Sequence, residues 1–167
     1  PVSFPIKGMN ERRAEIVQSL AKWKRMALAD YQFNPGEGLY TDMNAIRPDE
    51  VLDDIHSIYV DQWGWERVMR PDERNLTFLY WVVEQIYEVI WRTEQHIAAS
   101  HPSIRPALPD KIQFVHTEEL EKRWPDLEPR ERENQIAKEL GAVFIIGIGA
   151  KLANGQLHDG RAPDYDD

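Results

Sequence analysis

Leu39-Tyr40-Thr41-Asp42-Met43-Asn44-Ala45-Ile46-Arg47, followed by Pro48-Asp49-Glu50, is the stretch whose reading decides the fold. Leu39 to Arg47 reads as a strand, Pro48-Asp49-Glu50 as the start of a loop, and Ile55 to Trp63 as the returning partner strand. Together they predict an antiparallel hairpin with a loop of medium length, the kind of segment on which functional groups are often carried. The loop is acidic, with Asp49, Glu50, Asp53 and Asp54. Just upstream, Asn34-Pro35-Gly36-Glu37-Gly38 breaks any preceding element.

Before that breaker, Asn10 can cap a helix running to about Tyr31, with Glu11 in its first turn. Ile16, Leu20, Trp23 and Ala27 recur at helical spacing and would form its apolar face. After the hairpin, Pro71-Asp72 opens the longest helix, whose seam is Leu76, Leu79, Val83, Ile86, Ile90, Thr93 and Ile97, widened by Tyr80, Trp81, Tyr87 and Trp91. A connector with Pro102, Pro106 and Pro109 follows, then a short strand over Ile112 to His116 and a helix capped by Thr117. Pro129 suits the first turn of a further helix ending at Gly141. Ala142 to Ile148 reads as a buried strand, and Asn154-Gly155 as a hairpin turn before a returning strand from His158. Helices mixed with hairpins predict an α+β fold with a mainly antiparallel sheet flanked by helices, one domain over residues 1–167 without internal repeats.

Composition narrows the function classes. With 42% hydrophobic and 29% charged residues, the chain has the balance of a soluble globular protein. The net charge of −9 argues against a nucleic-acid partner, which calls for an excess of Lys and Arg. No run approaches the length of a membrane span, and Pro1 to Gly8 is too short and mixed for a secretory signal. The absence of cysteine removes disulfides, thiolate nucleophiles and Cys-ligated metals, and agrees with a reducing cytoplasm.

Several motifs bear on chemistry. Gly147-Ile148-Gly149-Ala150-Lys151 follows a strand but lacks the third glycine of a dinucleotide loop and the Gly-Lys-Ser/Thr of a phosphate loop. Close approach of strand backbones explains its glycines better. The five histidines form no compact ligand pair. Lys22, Lys24 and Arg25 concentrate charge on one short helical stretch, either a solvated face or an anion site. Arg47 ends a strand, where it serves as a rim ion pair with Asp49 or Glu50, or as a guanidinium fork on a phosphate. On an extended partner strand His56, Ile58, Val60 and Gln62 would share one face, and the Gln62 amide then needs core partners or a polar substrate. Asp164, Asp166 and Asp167 flank Tyr165; such carboxylates suit Mg²⁺ or a solvated strand end.

Eight stretches in order resemble asparagine synthetase A, the ammonia-dependent aspartate–ammonia ligases. They are Ser19-Leu-Ala-Lys-Trp-Lys-Arg25, Gly36-Glu-Gly-Leu-Tyr-Thr41, Ile46-Arg-Pro-Asp-Glu50, Tyr59-Val-Asp-Gln-Trp63, Trp65-Glu-Arg-Val-Met69, Leu140-Gly-Ala-Val-Phe144, Gly147-Ile-Gly149 and Arg161-Ala-Pro-Asp-Tyr-Asp-Asp167. The resemblance implies a fold like the catalytic domain of class II aminoacyl-tRNA synthetases, usually as a homodimer. It also implies a two-step reaction of L-aspartate, ATP and ammonia through a β-aspartyl-adenylate, with Mg²⁺. Carried over by position, Arg47 resembles the class II arginine on the α-phosphate, while His56 and Ser57 fall where the second conserved strand approaches the adenylate. Gln62 resembles a contact to the amino acid or adenylate. Lys24 resembles a cation for a substrate carboxylate, with Ser19 and Lys22 nearby. Tyr165 and Asp166 resemble part of the site floor, Asp166 near metal or amine.

Two departures stand out. The family pattern Gln-Trp-Asp-Trp-Glu has Gly64 here in place of Asp, and Gln18 stands where the family often has His. The resemblance is to the central part of the enzyme, with both chain ends read as cuts or omitted segments; the family's N-terminal dimer-forming element and C-terminal adenine-side Arg fall outside. Two other readings accompany the enzyme: a non-catalytic relative that binds a partner, and a different adenylate-forming ligase with an altered pocket at Gly64.

Overall fold

Asn10 and Glu11 both adopt left-handed backbone, with φ of 53° and 61°, and they turn the chain back on itself. This turn joins β1 (Ser3–Ile6) to the antiparallel β2 (Arg12–Glu15), where a continuous helix from Asn10 was expected. Asparagine is the residue after glycine that best tolerates this conformation, so the side chain read as a helix cap serves a turn instead. The helix itself is short: α1 spans Ala21–Asp30. The computed structural model describes residues 2–17, 19–48 and 50–158, and divides into two compact units, residues 1–74 and 75–167.

In the first unit the hairpin holds the centre. β3 (Gly38–Ile46) pairs antiparallel with β4 (Tyr59–Arg67), with Thr41 opposite Gly64 and Met43 opposite Gln62. The partner strand lies four residues downstream of the expected Ile55 start, so His56 and Ile58 belong to the connecting loop and do not share a strand face with Gln62. Alternation separates the two faces. Leu39, Thr41, Met43, Ala45, Val60, Gln62 and Glu66 point inward; Tyr40, Tyr59, Trp63 and Trp65 point outward and are exposed. Helix α1 packs on the hairpin, and its buried residues Lys24, Ala27 and Leu28 fall at i, i+3 and i+4, one helical face.

The second unit begins with α2 (Leu76–Ser100). Pro71-Asp72 makes only a single 3-10 turn, and the Asn75 side chain caps the helix by accepting from the Phe78 amide. The packed stripe of α2 runs through Val83 and Tyr87, while Leu76, Ile86, Ile90 and Ile97 of the expected seam are exposed. The aromatic residues decide the difference: Tyr80 meets Phe114 at 4.4 Å between ring centroids, and the Tyr87 hydroxyl donates to the Pro109 carbonyl. The Glu94 carboxylate accepts from the Ala107 and Leu108 amides, so the proline-rich connector is laid along α2.

β5 (Gln113–His116) and β6 (Val143–Ile146) pair in parallel, joined by α3 (Thr117–Arg123) and α4 (Pro129–Leu140). This parallel pair departs from the mainly antiparallel expectation; a parallel partner needs a long crossover, and the two helices supply it. Residue His116, rather than Thr117, caps α3 by accepting from the Glu118 amide. Pro129 opens α4 and Gly141 closes it at φ 77°, as read from the sequence. Val115, Leu120 and Ile136 form the core, with Trp124, Leu140, Val143 and Ile145 packed around them. Lys151 and Leu157 bridge across Asn154-Gly155, and a returning strand after His158 lies outside the described residues. Among the described residues no helix is long and apolar enough to cross a membrane.

Arg132 is buried on α4, and its guanidinium donates to the Trp124 and Pro125 carbonyls at 2.9 Å each. It thereby ties down the chain just past the end of α3, where the Trp124 carbonyl also accepts from the Leu127 amide at 3.2 Å. Arg132→Met keeps the aliphatic stem, takes the donor from the Pro125 carbonyl and leaves the Trp124 carbonyl with the Leu127 amide alone, and should cost about 2 kcal/mol. Urea unfolding followed by circular dichroism checks this; an unchanged midpoint would show that water replaces the guanidinium without loss.

Candidate active site

Arg47 follows β3 directly, and its backbone amide donates to the Ile58 carbonyl at 2.7 Å, so pairing persists to the mouth of the loop. Its guanidinium donates to Gln62 Oε1 at 3.3 Å. This is a side-chain bond between the end of one strand and the middle of the other, and it holds the guanidinium beside the inner face of the hairpin. Two residues along β4, Gly64 lies on the same inner face. Lys24 reaches that point from α1. The lysine is 5% exposed, and a Cβ placed on Gly64 would lie 2.3 Å from its Nζ. Thr41, opposite Gly64, donates its hydroxyl to the Gly64 carbonyl at 3.4 Å.

One inner strip of the hairpin therefore carries Lys24, Thr41, Gly64, Gln62 and Arg47. Two of its groups are cations with different capabilities. Arginine offers a planar fork suited to phosphate or carboxylate oxygens, while lysine offers a compact point charge. Glu66 continues the same face but is engaged by Arg25 at 3.6 Å. An anionic group entering this strip meets positive charge and the Gln62 amide.

The other site residues read from the sequence fall in different places. Lys22 is exposed on α1, two positions from the buried Lys24, and does not face the strip. Ser19 precedes α1, and its Oγ accepts from the Ala21 amide at 3.1 Å, which is a helix-start role. His56 and Ser57 lie in the loop between β3 and β4; the Ser57 hydroxyl accepts from the Tyr59 amide at 3.3 Å. Tyr165 and Asp166 lie outside the described residues. So does Asp49 of the acidic loop. Among the described residues no three His, Asp or Glu side chains cluster as metal ligands. Thr41 and Asp53 were not singled out as site residues in the sequence. The strand register points to Thr41, and the Asp-x-x-His spacing across a turn points to Asp53.

Asp53 organises the loop. Its Oδ1 accepts from the Ile55 amide at 2.9 Å and the His56 amide at 2.8 Å, and it faces His56 Nδ1 at 2.7 Å. The Ile55 amide, then the His56 ring, hold this carboxyl below its ordinary value of 3.8. A depressed carboxylate favours the ordered loop above 3.8, and that contribution disappears as the pH falls through the lower folded value. The Ile55 and His56 amide resonances should therefore titrate together with a midpoint below 3.8, and Asp53→Asn should abolish the step. A midpoint at or above 3.8 would dismiss the bracing role.

Comparison with known proteins adds the family. The sequence profile of the aspartate-ammonia ligase family matches residues 1–167. The chain is 58% identical over 167 residues to a Bacteroides fragilis protein named aspartate–ammonia ligase, covering 100% of this chain and 48% of that protein. It is 59% identical over 167 residues to a Clostridium perfringens protein of the same name, covering 100% of this chain and 50% of that one. A Parabacteroides distasonis relative, also so named, is 58% identical over 166 residues, 99% of this chain and 48% of its own length. The chain thus spans about half the length of the curated relatives it matches. With a profile match along all 167 residues, the chain belongs to the aspartate-ammonia ligase family.

Proposed function

We propose that this chain carries the anion-gripping hairpin of an ATP-dependent aspartate–ammonia ligase. The single observation that supports the reading is the inner strip, where the Arg47 guanidinium is held by Gln62 and the buried Lys24 ammonium sits against Gly64. In the proposed first step the side-chain carboxylate oxygen of L-aspartate attacks the α-phosphorus of ATP, and the bond to pyrophosphate breaks. In the second, ammonia attacks the acyl carbon of the β-aspartyl-adenylate, the bond to AMP breaks, and loss of a proton leaves asparagine.

The residues have the chemistry this sequence of steps requires. A carboxylate is a poor acceptor for ammonia until its oxygen becomes part of a good leaving group. Charge builds on the phosphate oxygens as pyrophosphate departs, and a pre-placed guanidinium favours that transition state over the ground state. Arg47 is suited to this role because its partner, the Gln62 carbonyl, fixes one NH2 and leaves other donors of the fork for phosphate. Lys24 is suited to a substrate carboxylate, since a buried ammonium favours a ligand charge strongly. Mg²⁺ would add a Lewis acid on phosphate oxygens. The carboxylate read as its ligand, Asp166, lies outside the described residues. A class II synthetase-like catalytic fold, a homodimer and a cytoplasmic location complete the proposal and follow from the family resemblance.

The test is pyrophosphate release by the intact protein from ATP, L-aspartate and Mg²⁺, with and without ammonium. Aspartate-dependent release accompanied by asparagine formation is expected. Arg47→Ala should lower the rate by about two to three orders of magnitude while leaving the fold intact, the scale found when one preorganised donor to a developing anion is removed. Pyrophosphate release that is independent of aspartate, or unaffected by Arg47→Ala, would refute the assignment.

A further inference from the structure

We propose that Gly64 is a positioning residue for Lys24, its missing side chain being the berth in which the Lys24 ammonium sits. The proposal rests on the reading above, in which that ammonium meets an anionic group of the ligand. A Cβ at position 64 would lie 2.3 Å from Lys24 Nζ and 3.6 Å from Lys24 Cε, with Thr41 Oγ1 at 3.8 Å. Two heavy atoms cannot stand 2.3 Å apart without a bond, so residue 64 and the ammonium compete for one space. Only glycine leaves that space to the lysine.

The ammonium is also free to take a partner. Lys24 is 5% exposed, and among the described residues its ammonium has no side-chain hydrogen bond or ion pair. With most of the side chain covered, water screens the ammonium less than it would an exposed lysine, so an anion that reaches it gains more. Glu66, the carboxylate farther along the same face, is taken by Arg25. Among the described residues the berth is therefore open to an anionic group.

Backbone strain is not the reason for glycine here. The φ of Gly64 lies outside the left-handed region, unlike those of Gly36, Gly141, Gly147 and Gly155. The group that a new Cβ would meet is the tip of a flexible side chain, which swings away at little cost. A side chain at position 64 thus relocates the ammonium without unfolding the protein. That separates a positioning role from a packing role.

Gly64→Ala, Lys24→Met and the double variant of the intact protein test this in two ways. The first needs no ligand: acylation of lysines by an amine-reactive acetylating reagent, read by mass spectrometry. Lys24 should label slowly in the unaltered protein and several-fold faster in Gly64→Ala, measured against the exposed Lys22. The second is calorimetric titration with L-aspartate. Gly64→Ala should weaken binding about tenfold with the melting temperature unchanged, and adding it to Lys24→Met should cost nothing further, because both remove the same charged contact. Lys24 labelling that stays slow in Gly64→Ala, or losses that add in the double variant, would overturn the proposal. Should the ligase reading alone be wrong, aspartate fails to bind the unaltered protein while the labelling difference persists. Should the berth alone be wrong, aspartate-dependent pyrophosphate release persists while Lys24 labelling does not respond to residue 64.

Discussion

A lysine ammonium held against a bare strand backbone is the constraint from which the first unit can be understood. Lys24 shares the buried face of α1 with Ala27 and Leu28, so packing the helix on the hairpin carries the charge inward with the apolar side chains. The face it meets must then provide space, and it does so at the one position in the middle of β4 without a side chain. Register decides which residue that is. Thr41 opposite Gly64 and Met43 opposite Gln62 place the polar inward residues in sequence along one strip, and a slip of one residue would turn all of them outward. Helix packing, strand pairing and the chemistry of the strip are one arrangement.

Much of this was legible in the residues, and the failures have physical causes. The strand before Arg47 and the helix between Pro129 and Gly141 follow from local signals, a breaker upstream in one case and a matched pair of terminators in the other. Local signals misled at Asn10, because a short polar side chain serves a helix cap and a left-handed turn equally well, and pairing of Ser3–Ile6 with Arg12–Glu15 decides between them. They misled again at β4. A glycine within a strand lowers its propensity, so the β-branched residues upstream drew the expected strand toward Ile55, whereas pairing with β3 runs on to Arg67. On α2 two overlapping stripes satisfy helical spacing, and only contacts such as Tyr80 with Phe114 choose the aromatic one.

The site was legible in the same uneven way. Lys24, Arg47 and Gln62 stand out as cations and an amide where a core would favour apolar groups, and the geometry puts them on one strip. Lys22 stood out for the same reason, yet two positions along a helix is enough to turn a side chain away. No local pattern reveals that Gly64 and Lys24 share a space, because that depends on a helix and a strand forty residues apart in the chain. The family resemblance drew attention to position 64 as a departure; the structure supplies what occupies the room.

The alternation of β4 has an optical consequence. Trp63 and Trp65 flank Gly64 in sequence but project from the opposite side of the sheet, 79% and 51% exposed. Their indoles are separated from the Lys24–Arg47 strip by the backbone itself. Their fluorescence is thus a solvent gauge for the outer surface: red-shifted and readily quenched while that surface is wet, and blue-shifted once another surface dries it. Emission from this pair reports the covering of the sheet's back, separately from events at its front.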